Sequence, residues 1–304
     1  MDFRLTDDQR ALRTGVRELL AARFGRDALR AAVDREGTVD RELWRELGEA
    51  GFFALRLPEA AGGAGAGLVE SVLAFEEAGR ALLNGPLVAT HLAAGEVAGA
   101  AEGAQVVTCA TQLTGLVAHF GDADVVRHLP GDLPAAPRPV RVRSMDPLTP
   151  LHRVAVAGHP DPVAVDPVAV LLTAAEQLGS AARTTGMAVQ YAKEREQFGQ
   201  PIGGFQAVKH LCAQMFVRTE VARSAVYAAA VTEDFTEIAG AKLLADEAAT
   251  GNARDCLQVF GGMGFTWEAD VHLHLKRAWL RGRMWLRAAR AAEVQAEALV
   301  SPSS

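Results

Sequence analysis

The fold of this chain of 304 residues is decided by residues 195–206, which have the sequence REQFGQPIGGFQ. Apolar residues recur with helical spacing on both sides of this stretch, which predicts one helix over 170–192 and another over 205–230. Gly199 and Pro201 interrupt the helical pattern between them, because glycine is flexible and proline lacks a backbone N–H.

Two more helices are predicted downstream, over 236–260 and 268–299. Gly261 and Gly262 follow the first of them and are expected to end it. Four long helices joined by short links are typical of an up-down bundle. We therefore predict a C-terminal helical bundle over 167–304.

The N-terminal hundred residues have the same helical spacing. Thr6, followed by Asp7 and Asp8, is a typical N-cap before an amphipathic helix. The elements expected after it are helices over 41–50, ended by Gly51, and over 68–83, a helix after Pro86, an extended piece over 55–58 and a loop over 62–67. These elements predict an N-terminal helical domain over 1–103.

Between residues 104 and 166 the pattern changes to short β-strands with frequent proline and glycine. The strands are expected at 106–109, 116–120, 140–142 and 153–156. A closed barrel of about eight strands of about 5–6 residues each needs more chain than this segment has. The sequence therefore predicts a mainly α-helical protein with a small, incomplete β module.

Composition and charge exclude several classes of protein. Hydrophobic residues make up 49% of the chain, which is enough for a sizeable core. The net charge of −6 argues against a nucleic-acid binder, because such proteins neutralise phosphates with Lys and Arg. The start of the chain lacks the pattern of a secretory leader, and no apolar run reaches the about 20 residues of a membrane span. The three cysteines are far apart, so we expect reduced thiols and a cytoplasmic protein.

A second glycine-rich stretch, residues 258–265, has the sequence QVFGGMGF. Together with residues 195–206 it resembles the acyl-CoA dehydrogenase family, and the sequence EEAGR at 76–80 agrees with this resemblance. The resemblance covers nearly all of the chain except 104–166, where full members of the family have a complete β-barrel. It implies an acyl-CoA dehydrogenase-like fold with an N-terminal helical domain, a truncated middle β domain and a C-terminal four-helix bundle.

The resemblance also implies an FAD cofactor. In the family, the arginine of the first motif contacts the FAD pyrophosphate, usually in the site of a neighbouring subunit, and the second motif lies along the adenosine end. A forked guanidinium suits phosphate oxygens, and glycines after a helix let the backbone approach a ligand. Without the resemblance, the same residues would be explained as helix C-caps. The residues implied to contact FAD are Arg195, Gln197, Phe198, Gln206, Gln258, Val259, Gly261 and Gly262.

The catalytic base of the family has no acidic counterpart here. Members of the family remove the α-proton of an acyl thioester with a carboxylate whose pKa is raised by burial, while hydride passes to the flavin. The two positions used for this base fall on Trp285 and Ala169. Glu176 lies two helical turns beyond Ala169 and is a candidate displaced base, the alternative being a salt bridge between helices.

This combination resembles the short subunit of two-chain acyl-CoA dehydrogenases, in which a full-length subunit supplies the base. We expect a dimer or heterotetramer with such a partner, α,β-desaturation of an acyl-CoA or acyl-carrier thioester, and an external electron acceptor. The alternatives are a self-sufficient dehydrogenase with Glu176 as base and a non-catalytic acyl-binding or structural homologue. No metal is expected, because His272 and His274 are two residues apart on a predicted helix and cannot face each other.

Overall fold

The computed structural model describes residues 4–111, 115–129, 139–154 and 165–300. The helices in these residues are α1 (Asp7–Arg23), α2 (Arg26–Asp34), α3 (Arg41–Glu49), α4 (Leu68–Ala81), α5 (Leu87–Ala93), α6 (Pro167–Glu194), α7 (Gln206–Thr232), α8 (Phe235–Phe260), α9 (Val271–Arg281) and α10 (Ala288–Val300). The strands are β1 (Val107–Thr111), β2 (Leu116–Ala118), β3 (Val125–Leu129), β4 (Val140–Val142), β5 (Leu151–Arg153), β6 (Glu196–Gln197) and β7 (Gln200–Pro201). The predicted class, mainly α-helical with a small β module, is confirmed.

The chain forms two compact units that interleave along the sequence. The bundle unit consists of Met1–Leu20, Val72–Leu82 and Val170–Ser304, and the α/β unit consists of Ala21–Ser71 and Leu83–Ala169. The domain boundaries given above, 1–103, 104–166 and 167–304, stay a prediction.

Two glycines allow α4 and α6 to cross in close contact within the bundle unit. A Cβ atom at Gly79 would lie 2.0 Å from the carbonyl oxygen of Glu176, and a Cβ atom at Gly179 would lie 1.9 Å from the carbonyl oxygen of Glu76. Such separations are far inside van der Waals contact, and packed interiors do not deform easily. The crossing therefore requires glycine at both positions.

The two adjacent carboxylates of α4 are buried and paired. Glu76 accepts hydrogen bonds from the guanidinium of Arg223 and from the hydroxyl of Tyr227, the latter at 2.7 Å. Glu77 accepts two hydrogen bonds from Arg17, at 2.5 and 2.9 Å. Because each buried charge has a partner of opposite charge, these pairs bind α4 to α7 and α1 without leaving an unpaired ion in the core.

A buried asparagine connects three helices of the bundle. The side-chain amide of Asn252 on α8 donates to the carbonyl oxygen of Met215 at 2.9 Å, to the hydroxyl of Thr219 at 2.9 Å and to that of Thr185 at 3.1 Å. Its oxygen accepts from Arg218 at 2.8 Å. A polar side chain with its partners satisfied in this way fixes the register of α6, α7 and α8.

The prediction of one helix over 268–299 is wrong, because the chain forms α9 and α10 with a break at 282–287. The ammonium group of Lys242 is buried beside this break. It bonds the carboxylate of Asp246 and donates to the carbonyl oxygen of Arg281, the last residue of α9, at 3.3 Å. This tertiary contact thus stabilises the end of α9 at Arg281, which the helix propensity of the local sequence does not predict.

In the α/β unit, α3 begins and ends with side-chain and backbone caps. The carboxylate of Asp40 accepts from the N–H of Leu43 at 3.2 Å. At the other end Gly51 has φ +78°, and Phe52 donates to the carbonyl oxygen of Leu47 at 2.9 Å. This left-handed glycine cap confirms the predicted end of the helix at Gly51.

One local prediction in this unit is wrong over most of its length, and one helix is not predicted. Residues 51–56 form consecutive turns, and the N–H of Leu57 donates to the carbonyl oxygen of Ala54 at 3.0 Å, so the extended piece expected over 55–58 is found only at Pro58 (ψ 149°). The helix α2 has no counterpart among the predicted helices. Its nine residues bury only Leu29 and Ala32, which is too short a stripe to stand out in the sequence.

The β module consists of small sheets in the residues that the structure describes. β1 and β3 pair in parallel, with Val107 opposite Val125, and β2, β5 and β4 form an antiparallel sheet in that order. The strand β3 has no counterpart among the strands predicted from the sequence. The strand expected at 153–156 is found at Leu151–Arg153, and residues 155–156 lie outside the described ranges.

Candidate functional site

The first motif forms a tight hairpin after α6. β6 and β7 pair in antiparallel fashion, with Phe198 (φ +54°) and Gly199 (φ +75°) as the two turn residues. Two successive positive φ values are the geometry of a two-residue hairpin turn, and they strain a bulky residue such as phenylalanine. Phe198 is 92% exposed, so its ring is presented to solvent.

Arg195 lies at the base of this hairpin. Its N–H donates to the carbonyl oxygen of Tyr191 at 2.8 Å, and its carbonyl accepts from Ile202 at 2.8 Å, so the backbone is held at both ends. Its side chain is exposed and makes no ion pair with any residue that the structure describes. Gln197 is exposed beside it, and Gln206 is the exposed first residue of α7. The positive end of the α7 dipole thus lies close along the chain to a guanidinium that has no ion-pair partner among the described residues.

The second motif forms a turn after α8. Gly261 has φ +60°, and a Cβ atom at Gly261 or Gly262 would meet nothing within 4 Å, so the backbone here borders open space. Gln258 is exposed on the last turn of α8. The side chain of Val259 is buried, which leaves only the backbone of this residue to contact a ligand.

The structure brings the two motifs to the same end of the bundle. Tyr191, four residues before Arg195, stacks on Phe260, the last residue of α8, with ring centroids 4.1 Å apart and an interplanar angle of 14°. Both rings pack on a cluster that includes Met215, Leu257 and the half-buried Ile202. The hairpin and the Gly261–Gly262 turn therefore share one apolar support, and we call their exposed faces together the motif surface.

The motif surface fits the polar end of FAD. A pyrophosphate needs cationic or N–H donors, which Arg195 and the start of α7 provide. An adenosine needs amide groups and backbone that it can approach closely, which Gln258 and the open Gly261–Gly262 turn provide. These residues would hold the adenosine and pyrophosphate of the cofactor at the outer surface of the bundle.

The residues at the two base positions are both buried. Ala169 on α6 is fully buried. Trp285 is 8% exposed and has φ +60°, and the N–H of Leu286 donates to the carbonyl oxygen of Met284 at 2.7 Å across it. A hydrogen bond from residue i+2 to residue i around a positive φ is a strained γ-turn, which is unusual for so large a side chain.

Glu176 forms the salt bridge that was the alternative to a catalytic role. Its carboxylate is buried and accepts from Arg281 on α9 at 2.5 Å. The pKa of Glu176 is raised overall, because the effect of burial is larger than the opposing effect of Arg281 and Arg277. A base must be free to take a proton from substrate, and this carboxylate is held by a guanidinium.

The two histidines on α9 face different partners. The ring of His272 contacts Lys276, with its Nδ1 atom 3.2 Å from Nζ, and the Nδ1 atom of His274 lies 2.8 Å from the hydroxyl of Ser180. Burial and four nearby arginines lower the pKa of His274 to about 3. Within the described ranges, no three His, Cys, Asp or Glu side chains come together in a way that could hold a metal ion.

Sequence reasoning missed the buried partners of the bundle. The only sequence signal of Lys242 and Asp246 is that they form a charged pair four residues apart, and the spacing of His274 from His272 does not indicate its buried partner Ser180. None of them lies on the motif surface.

Comparison with known proteins gives two family matches. The N-terminal domain of acyl-CoA dehydrogenases matches residues 6–105, and the C-terminal domain of acyl-CoA dehydrogenases matches residues 169–294. The segment between the two matches contains most of the β module.

Among curated proteins, acyl-CoA dehydrogenase IpdE2 of Mycobacterium tuberculosis is 39% identical over 290 residues, which cover 90% of this chain and 91% of that protein. Acyl-CoA dehydrogenase FadE34 of the same organism is 38% identical over 90% of this chain, but the match covers only 45% of FadE34.

Among solved structures, a chain of the ChsE4–ChsE5 complex from Mycobacterium tuberculosis matches with a TM-score of 0.84 at 25% identity, and all of both chains is covered. Butyryl-CoA dehydrogenase from Megasphaera elsdenii matches with a TM-score of 0.81 at 21% identity, over 99% of this chain, which shows a shared fold. In the part of the chain that the structure describes, no helix has both the length and the apolar character needed to cross a bilayer.

Proposed function

The chain belongs to the acyl-CoA dehydrogenase family, a flavin-dependent family, and from this we propose that it is a subunit that completes the FAD site of a full-length catalytic partner. The observation that carries the proposal is the motif surface, on which Arg195, Phe198 and the Gly261–Gly262 turn are exposed. In the complex, FAD supplies the acceptor for the hydride removed from the acyl thioester.

The positions of the base support a role without the proton-transfer step. Trp285 and Ala169 have no group that could accept a proton, and Glu176 is bound to Arg281. In this proposal the partner supplies the carboxylate, and the present chain binds and orients the adenosine and pyrophosphate of the cofactor. The same bond to Arg281 weighs against the alternative in which Glu176 is a relocated base.

An exposed apolar surface on α7 supports assembly with a second chain. Phe216, Val217, Val221 and Val231 lie on one side of this helix and are each about half exposed. We call them the α7 stripe. The stripe runs from residue 216 to residue 231, about 23 Å along the helix, and exposed apolar residues grouped on one face in this way are typical of an interface.

Two comparisons support a heteromer over a homomer. The ChsE4–ChsE5 assembly is a complex of two different proteins. The match to FadE34 leaves more than half of that protein outside it, which is room for a second catalytic half in the same chain. A dimer or heterotetramer with a full-length acyl-CoA dehydrogenase, acting on an acyl-CoA or acyl-carrier thioester and passing electrons to an external acceptor, is the assembly that we propose. A cytoplasmic location agrees with the three free thiols Cys109, Cys212 and Cys256.

The visible absorption spectrum tests the proposal directly. The chain purified alone should be colourless, and it should co-purify with flavin only when co-expressed with a full-length homologue. One flavin per chain in the isolated protein would overturn the two-chain site.

A point substitution tests the role of Arg195. Removing its guanidinium in Arg195→Ala should weaken FAD binding by the complex by about tenfold to hundredfold, because hydrogen bonds to a charged group contribute about 1.5–3 kcal/mol. Arg195→Lys should lie between this variant and the unchanged protein, since lysine keeps the charge and loses the fork. Lys193→Ala removes an exposed positive charge two residues away and is the matched control. Equal losses in Lys193→Ala and Arg195→Ala, measured as flavin retained per complex, would show that only the general charge of this end matters.

A further inference from the structure

The two halves of the motif surface are joined by packing and not by hydrogen bonds. Residues 195–204 and 258–265 are separated by more than fifty residues of chain, and within the described structure no hydrogen bond connects one segment to the other. Their relative position must therefore be fixed by the side chains beneath them.

The stacked pair Tyr191 and Phe260 connects the two halves: Tyr191 lies in α6 just before the hairpin, and Phe260 belongs to the second segment. The carbonyl of Tyr191 accepts a hydrogen bond from the N–H of Arg195, so Tyr191 lies in the last turn of α6, just before the hairpin. Phe260 precedes Gly261, where the chain turns at φ +60°. The near-parallel rings, 4.1 Å apart, thus connect the end of α6 to the end of α8.

The ring of Tyr191, and not its hydroxyl, makes this connection. In the described structure the hydroxyl has no hydrogen-bond partner, whereas the ring packs with Phe260 and Ile202 on the cluster below. Both rings are half-buried and in direct contact with each other, so a shift of one ring is opposed by the other.

We infer that Tyr191 and Phe260 are positioning residues whose stacking holds the hairpin and the Gly261–Gly262 turn at the spacing that one FAD molecule requires. This inference rests on the proposed function for its ligand, but the mechanical coupling of the two segments does not. Losing the stack on either side loosens the segment on the other side.

Hydrogen–deuterium exchange on the full chain, resolved by peptide, tests the coupling. Phe260→Leu should speed exchange several-fold in residues 195–204, and Tyr191→Leu should speed it several-fold in residues 261–265, because leucine keeps apolar volume and loses the ring face. Tyr191→Phe keeps the ring and should match the unchanged protein. Peptides from α3 in the α/β unit are the internal reference for global unfolding.

The outcomes separate this inference from the proposed function. Faster exchange confined to the segment next to each substitution, or faster exchange in Tyr191→Phe as well, overturns the coupling. Should one leucine variant unfold the bundle, the other gives the same test from the opposite side. Titration of FAD on the complex with the partner is the second measurement: both leucine variants should weaken binding several-fold and Tyr191→Phe should not. If the unchanged complex fails to bind FAD, the proposed function fails while the exchange result still decides the coupling.

Discussion

His274 is a buried, uncharged histidine whose surroundings oppose protonation. It lies on α9 with its ring bonded to Ser180, among arginines that include Arg183, Arg277 and Arg281. Its pKa of about 3 in the folded protein lies well below the usual value of 6.5. The folded state therefore stays unprotonated at this site at pH values where the unfolded chain binds a proton, which links folding to pH.

The sign of this linkage gives a prediction for acid stability. As the pH falls from 6.5 toward 3, the unfolded state gains a proton that the folded state excludes, so His274 costs up to about 1.4 kcal/mol of stability per pH unit. His274→Asn can keep a hydrogen bond to Ser180 and does not titrate, so its free energy of unfolding should fall less steeply.

Urea denaturation at several pH values between about 6.5 and 4.5 measures the difference in slope. His210→Gln, which removes an exposed histidine from α7, is the control and should follow the unchanged protein. His91, which burial and Arg56 hold at a pKa of about 4, contributes the same trend in every variant. Parallel slopes in His274→Asn and the unchanged protein would contradict the linkage.

At the level of single residues, the sequence could identify the motif surface but not its support. Arg195 and Gly261 stand out because their motifs resemble a known family, and Thr6 because an N-cap is a local signal; the N–H of Gln9 indeed donates to its hydroxyl at 3.2 Å. Tyr191, Lys242 and His274 contact Phe260, Arg281 and Ser180, which are far along the chain, and no local pattern identifies these partners.

Among the elements, the crossing of α4 and α6 makes the most specific demand on sequence. Gly79 and Gly179 each face the backbone of the opposite helix, with no space for a Cβ atom. Elsewhere on α6, Gly186 borders open space, with nothing within 4 Å of a Cβ built there. The same substitution thus has opposite consequences at two positions of one helix.

We expect Gly179→Ala to destabilise the protein by about 2 kcal/mol or more, because overpacking against backbone forces the helices apart. Gly186→Ala should instead be neutral or stabilise by up to about 1 kcal/mol, since alanine favours the helix and meets no obstacle. Thermal denaturation of the two variants beside the unchanged protein is the comparison. A Gly179→Ala variant as stable as Gly186→Ala would mean that the helices do not cross as closely as described.

Helices and strands are predicted well where local sequence determines them, and poorly where they depend on contacts with distant residues. The long helices α6, α7 and α8 contain no proline after their first residue, and they are predicted to within a few residues. The break between α9 and α10 is not, because it depends on Lys242, some forty residues upstream, reaching the carbonyl of Arg281. β3 likewise depends on its pairing with β1, and no local sequence pattern predicts this pairing.

For the whole molecule, the α7 stripe predicts how assembly should respond to charge. Burying a carboxylate without a partner is costly, so Val217→Glu should weaken association with the full-length partner by at least about tenfold, while the chain itself stays folded because this residue is exposed. Ala22→Glu adds the same charge at an exposed position of α1 and is the control.

Light scattering of the purified assembly gives the mass from which dissociation is read. Loss of the complex in Val217→Glu alone is the expected result. An intact complex in this variant would place the interface away from the α7 stripe and would leave only the motif surface as the region facing the partner.

The close crossing of α4 and α6 at Gly79 and Gly179 also limits how the sequence can evolve. Every residue other than glycine has a Cβ atom, so each missense change of a codon for Gly79 or Gly179 introduces the same steric conflict, whatever the new side chain. Purifying selection should therefore keep both positions invariant in catalytic and non-catalytic descendants alike, and their invariance would record helix packing and carry no information about chemistry.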